Sequence, residues 1–185
     1  MLCVAVFVFV LASTRRDGNS EALARAAASA LPADVQQRWV RLLDHPLLPF
    51  FDTRHSAGYV TPEGHERTLV DATLAATDLV IVTPVNWYSV SWLAKLYLDH
   101  WSAWMRIPKL AFKSTLAGRR MWGVVVDSGE SGTADGSSAP VVDTLRRTAE
   151  YMGMQWGGAL LGHANRPGEL SADALADAAT FFTRR

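Results

Sequence analysis

The sequence predicts an α/β fold, a doubly wound three-layer sandwich with a five-stranded parallel sheet of order 2-1-3-4-5 and helices on both faces. Three observations predict it. Short apolar runs recur along the chain, as at 2–11, 79–82 and 121–126, and read as strands buried on both sides. Stretches with apolar residues at helical spacing alternate with them. Between strand and helix stand polar loops, and in open α/β sheets ligands bind beyond the carboxyl ends of the strands.

The chain's 185 residues suffice for one domain with a full core, and residues 1–185 are expected to form one. Lys plus Arg equals Asp plus Glu at 18 each. That balance gives no reason to expect a nucleic-acid or anionic-membrane partner, and it argues against an acidic electron carrier steered by charge. The single cysteine, Cys3, excludes an internal disulfide and any multi-cysteine metal or iron–sulfur site, and reads as a small core residue. Met1–Leu11 is apolar, but no basic residues precede it and it is too short to span a bilayer. A cytoplasmic protein without membrane insertion is expected. His45, His55 and His65 have no metal-ligand spacing, so no metal is expected.

Leu2–Leu11 is the first strand. The loop after it carries Ser13, Thr14, Arg15, Arg16, Gly18, Asn19 and Ser20. A helix follows from about Glu21 to Ala30, with Asn19 or Ser20 as its cap and Pro32 closing it. Hydroxyls, a guanidinium and the unpaired amides of a helix N-terminus suit a phosphate. Arg38–Leu43 alternates and reads as the second strand. Asp44–Gly64 is a long irregular segment, in which Phe50, Phe51 and Tyr59 either line a substrate opening or pin the loop to the surface. His65–Thr77 is a helix with Leu69 and Leu74 on its apolar face.

Leu79–Val82 is the third strand, ended by Pro84, which has no amide to donate. The turn Val85–Ser89 is aromatic and amide-bearing, which suits a flat ring. Trp87 there reads either as a stacking partner or as core. A long helix runs from near Val90 to Arg106, and Pro108–Gly118 is a connector. Met121–Val126 is the fourth strand, and Asp127–Thr133 is a third polar loop, either a wall of the same crevice or a surface loop. Pro140 opens the next helix and Gly153 ends it. Gln155–Leu161 is the fifth strand, Gly162–Gly168 a turn, and Ser171 caps a last helix through Phe182. No Gly-x-Gly-x-x-Gly fingerprint, Walker A loop or Gly-x-Ser-x-Gly elbow occurs.

Two of these stretches carry a resemblance. Ser13, Arg15, Gly18, Asn19 and Ser20 match the Ser-x-Arg-x-x-Gly-Asn-Ser/Thr phosphate loop of the flavodoxin-like NADPH-dependent FMN reductase and NAD(P)H:quinone oxidoreductase family. Pro84, Val85 and Trp87, then Lys95, Asp99 and Trp101, resemble that family's Pro-x-Tyr-Trp loop and Lys-x-x-x-Asp-x-Trp helix. Asn86 stands where the family usually has Tyr.

The resemblance implies a flavodoxin-like fold with FMN as cofactor and NAD(P)H as co-substrate. The FMN phosphate would lie in the first loop. The ring would lie against Pro84, Val85, Asn86, Trp87, Tyr88 and Ser89, with its polar edge near Ser128, Gly129 and Gly132. A small-molecule acceptor, a quinone or free flavin, would be reduced by ping-pong hydride transfer. Such transfer is the cofactor's chemistry, so no catalytic residue is assigned. His163, at a strand end, reads as structural or as a group that holds or protonates a quinone oxygen. The resemblance also implies a homodimer, and Leu93, Tyr97, His100, Trp101 and Trp104 make an apolar face wide enough for one. Two other readings stay open: a flavin-binding electron carrier or regulatory protein without turnover, and a family member that has lost its flavin.

Overall fold

A parallel strand buried on both faces sends alternate side chains into two separate cores, and β1 (Val6–Leu11) does so. Phe7, Phe9 and Leu11 enter one core; Val8 and Val10 enter the other. The computed structural model describes residues 5–129 and 137–183. Cys3 and Gly132 lie outside the described residues. Beside β1 run β2 (Gln36–Arg41), β3 (Asp78–Asn86), β5 (Arg120–Asp127) and β6 (Gln155–His163), in the order β2-β1-β3-β5-β6. All four neighbouring pairs are parallel. This is the expected order. The two-residue strand β4 (Ser89–Val90) lies off that path as a hairpin on β3.

Helices α1 (Asn19–Ala28) and α6 (Ala172–Ala178) cover one face, where Leu23, Ala27 and Ala178 meet Phe9, Val80, Val124 and Phe182. On the other face α2 (Gly64–Ala75), α3 (Trp92–Trp104) and α5 (Ala139–Met152) bury Leu69, Trp104 and Leu145 against Val10, Ile81 and Val125. Gly153 ends α5 in the left-handed region, and Ser171 caps α6 by accepting from the Ala174 amide, both as expected. Among the described residues no helix is long and apolar enough to cross a membrane.

One glycine of β6 has a packing cause. A Cβ on Gly157 would stand 2.4 Å from the Trp122 ring, so the strand lies against that ring at a local bulge.

Three expectations need correction. Pro84 does not end the third strand, which runs on to Asn86. Beyond the Leu11–Val82 pair β1 has left, so Pro84 has only β5 beside it in the parallel sheet, an edge-like place where a missing donor is tolerated. Asn19 and Ser20 do not cap α1; Gly18 holds that position, and no side chain among the described residues bonds to the first turn. The aromatic stripe of α3 is not a dimer face, because Leu93, Tyr97, His100, Trp101 and Trp104 are all buried in their own protomer.

What covers that stripe is the connector and the long loop. Within the connector a short helix, α4 (Phe112–Leu116), sets the Phe112 ring edge-on to Trp101 and Trp104, with centroids 5.3 and 5.4 Å away. The loop before α2 reaches His100 through the Leu48 carbonyl, 2.9 Å from Nε2. His100 Nδ1 lies 2.9 Å from Glu66 Oε1, which also accepts from Trp104 Nε1 at 2.7 Å.

Candidate functional site

The cleft begins where α1 starts. The Ala22 amide donates to the Gly18 carbonyl, so the amides of Asn19, Ser20 and Glu21 precede the helical ladder, and no side chain among the described residues caps them. Ser13, Thr14 and Ser20 place hydroxyls around these amides, with Ser13 and Ser20 buried. The Ser13 hydroxyl accepts from the Arg15 amide at 3.1 Å, which shapes the loop.

The two arginines divide. Arg16 is paired with Asp44 at 2.5 Å, whereas the Arg15 guanidinium has no carboxylate partner among the described residues and lines the cleft. Glu21, in the first turn of α1, is buried and would oppose a bound anion. Burial pushes its carboxyl up, but the guanidinium groups of Arg41 and Arg25, each at 2.6 Å, outweigh this and hold it below the usual carboxylate range. Its charge is thus spent locally.

The cleft, about 210 Å³, lies beyond the carboxyl ends of β1, β3, β5 and β6. It brings together Ser13, Arg15, Gly18, Asn19 and Ser20 with Pro84, Val85, Asn86 and Ser128. Gly18 has an ordinary φ of −81°, and a Cβ there would make only ordinary contacts at 3.7 Å. Nothing among the described residues therefore requires glycine at this point of the cleft wall; a ligand lying close against the backbone would.

Trp87 and Tyr88 stand at the tip of the β3–β4 hairpin, both in the left-handed region at φ 51° and 58°. That is a two-residue turn usually made by Asn-Gly or Gly-Gly, here held by two aromatic residues at a cost of about 1–3 kcal/mol each. Trp87 is 95% exposed, which excludes the core reading. Trp87 and Ser89 line a shallow groove beside the cleft, with Trp92 and Lys95. Thr83 Oγ1 accepts from the Ser91 amide at 3.0 Å, and Ser91 caps α3 while donating to the Ala12 carbonyl at 2.5 Å. The hairpin is thereby tied to the phosphate-type loop.

The third wall is organised by Asp127, which the sequence reading did not single out. Its carboxylate accepts from the Gly129 amide at 3.0 Å, from Ser137 at 2.7 Å and from Ser138 at 2.6 Å. His163 Nδ1 lies 2.5 Å from its Oδ1. Burial pushes this carboxyl up, but the hydroxyls of Ser138 and Ser137, with His163 and the Gly129 amide, hold it below its ordinary value. Gly129 thus shapes the loop, while Ser128 faces the cleft.

Val126, Ala164 and Asn165 complete the lining and were also missed. The available signal was a polar run, His163 to Arg166, directly after a strand. The loop before α2 forms a separate apolar groove of about 350 Å³ against His100 and Glu66. There Phe50 and Tyr59 pack on the core, while Phe51 is exposed. Among the described residues no group of three or more His, Cys, Asp or Glu is placed to hold a metal ion.

The chain is similar to a Bacillus subtilis (strain 168) protein named "Putative NAD(P)H-dependent FMN-containing oxidoreductase YwqN". The two are 29% identical over 175 residues, covering 92% of this chain and 93% of that one. Its fold resembles the Trp repressor binding protein from Bacillus subtilis, with TM-score 0.73, 23% identity and coverage of 97% and 99% of the two chains. It also resembles the apo form of the NADH:FMN oxidoreductase EMOB, with TM-score 0.69, 19% identity and coverage of 97% and 87%. The model of the Flavodoxin_2 family, described as a flavodoxin-like fold, matches residues 7–182, and the chain belongs to that family.

Proposed function

We propose that this protein is an FMN-dependent NAD(P)H oxidoreductase that reduces a quinone, free flavin or a related small acceptor by a ping-pong route. The observation that carries the reading is that one cleft brings the Arg15-bearing start of α1 together with Pro84, Val85 and Asn86. The amides of α1, the Ser13, Thr14 and Ser20 hydroxyls and Arg15, which has no carboxylate partner among the described residues, suit a phosphate monoester. Pro84, Val85 and Asn86 suit a flat ring with polar edges, and Ser128 is a further polar group on the third wall. The name of the Bacillus subtilis relative supports the same chemistry.

When bound, FMN would accept hydride from the reduced nicotinamide and pass reducing equivalents to the acceptor. The chain's own residues bind and orient. Arg15 and the α1 amides fix the phosphate end, the β3–β4 hairpin sets the ring end, and Asp127 holds both ends of the third loop. Trp87, Tyr88 and Ser89 extend the ring wall beyond the cleft. Gly129 and Gly132 belong to the third loop by sequence, and Gly132 lies outside the described residues. Exposed Trp87, Tyr88 and Trp92 form an aromatic patch at the lip, and we assign it to the contact of a homodimer. We read residues 1–185 as a single domain, and the protein as cytoplasmic.

The experiment is titration of the protein with FMN, followed by NADPH or NADH oxidation in the presence of a simple quinone. Quinone-dependent nucleotide oxidation that requires FMN supports the reading. FMN binding without turnover would instead favour an electron carrier.

A further inference from the structure

Asn19 lines the cleft, and its side chain also reaches across to a distant turn. Its Nδ2 donates to the Arg166 carbonyl at 2.8 Å, and its Oδ1 accepts from the Gly168 amide at 2.9 Å. One carboxamide at the start of α1 therefore fastens the backbone of a turn almost 150 residues away in sequence, with separations of 147 and 149. The same turn is drawn in from its other side. A Cβ on Gly162, near the end of β6, would lie 2.8 Å from the Leu23 side chain of α1 and 3.2 Å from that of Leu170, so glycine lets β6 approach that helix without displacing either leucine. The Ala164 amide adds a bond to the Asp127 carbonyl at 3.0 Å. Held at these points, the turn places Ala164 and Asn165 in the cleft wall. The Asn165 side chain is exposed there and has no hydrogen-bond partner among the described residues.

We propose that Asn165 is a further phosphate-binding residue of the cleft, and that Asn19 is a positioning residue which acts through it. The inference rests on the flavin reading above. The turn is pinned to the N-terminus of α1, so Asn165 serves the anion end of the cleft rather than the ring end. Its Nδ2 is a neutral donor that adds to Arg15 and the helix amides without further charge. One Nδ2 hydrogen and the Oδ1 of Asn19 are engaged by the turn, so its side chain serves to hold that turn in place.

The test is fluorescence titration of FMN and of riboflavin, which lacks the phosphate, on the full chain and on Asn165→Ala, Asn19→Ala and the double variant. Asn165→Ala should weaken FMN about tenfold, the lower end of a hydrogen bond to a charged group, with riboflavin and the melting temperature unchanged. Asn19→Ala should weaken FMN by a similar factor and speed amide exchange at Gly168. The double variant should bind FMN no worse than Asn19→Ala alone, because the two changes remove one interaction.

Equal losses for FMN and riboflavin in Asn165→Ala would overturn the phosphate assignment. Losses that multiply in the double variant would overturn the positioning role of Asn19. If the unaltered protein binds FMN and Asn165→Ala binds it equally well, this inference fails and the flavin reading stands. If the unaltered protein binds no FMN, the flavin reading fails and takes this inference with it.

Discussion

Asp127 and His163 face each other across the paired ends of β5 and β6, with Oδ1 and Nδ1 2.5 Å apart. The carboxylate is buried, yet its acceptors are occupied by an amide, two hydroxyls and the imidazole, so it stays ionised below its ordinary range. The pair sits under the third wall of the cleft and closes its loop at both ends.

A pH dependence follows from that pair. The carboxyl titrates lower in the folded protein than its ordinary 3.8, so its contribution is complete above about pH 5 and is lost as pH falls through the folded value. Asp127→Asn should lower the melting temperature at pH 7 and flatten its fall in acid. Thermal melts between pH 3 and pH 7, on the order of the window set by an ordinary carboxyl, check this. Identical acid limbs for the two proteins would remove Asp127 from the account.

The arginines of the first loop separate by partner. Arg15→Ala should weaken FMN by about 1.5–3 kcal/mol and riboflavin much less. Arg16→Ala should change FMN affinity little, because Arg16 is paired with Asp44 on the surface. Titration calorimetry with both ligands distinguishes them, and equal losses for Arg15→Ala and Arg16→Ala would count against the assignment.

His100 carries the opposite pH dependence. Burial pulls its imidazole down, but the Glu66 carboxylate and the Leu48 carbonyl outweigh that and hold it above its ordinary 6.5. Both ring nitrogens face acceptors, so the charged form satisfies the site. The contribution is complete well below 6.5 and is lost as pH rises through the folded value. His100→Gln should remove a decline in melting temperature on the alkaline side. Asp99 adds to the effect from α3 itself, so Asp99→Asn should shift that decline to lower pH.

The sheet order and the main helices were legible because burial on two faces writes itself as continuous apolar runs, as at Leu79–Val82. Strand ends were less legible. Pro84 reads as a terminator until the departure of β1 is known, and the hairpin depends on Trp87 and Tyr88 accepting a left-handed backbone that their residue types disfavour. The α3 stripe looks like a patch in the sequence because Phe112, which covers Trp101 and Trp104, lies in a stretch without a long helical pattern. The Ser13–Ser20 loop was visible as a motif. The roles of Asp127, Asn19 and Asn165 were not, because Asp127 depends on hydroxyls and an imidazole brought from other stretches, Asn19 on the backbone of a distant turn, and Asn165 on where that turn is held.

The assembly follows the exposed rings. Trp92→Glu should convert the proposed dimer to a monomer with little change in melting temperature, since Trp92 is 59% exposed. Trp101→Glu should instead destabilise the protomer by about 3–5 kcal/mol, the cost of an unpaired buried charge. Sedimentation equilibrium and denaturant melts of the two variants give opposite patterns. A dimer that survives Trp92→Glu would move the interface elsewhere.

The most direct measurement is stopped-flow reduction of the FMN-loaded protein by NADPH and by NADH, followed by mixing with a simple quinone. Bleaching of the flavin absorbance by at least one nucleotide, and its return on quinone addition, is the result predicted. Trp87→Ala should slow the bleaching while retaining most of the FMN, because positioning is the protein's main contribution to such a transfer. A protein that binds FMN in this cleft but is bleached by neither nucleotide would contradict the account.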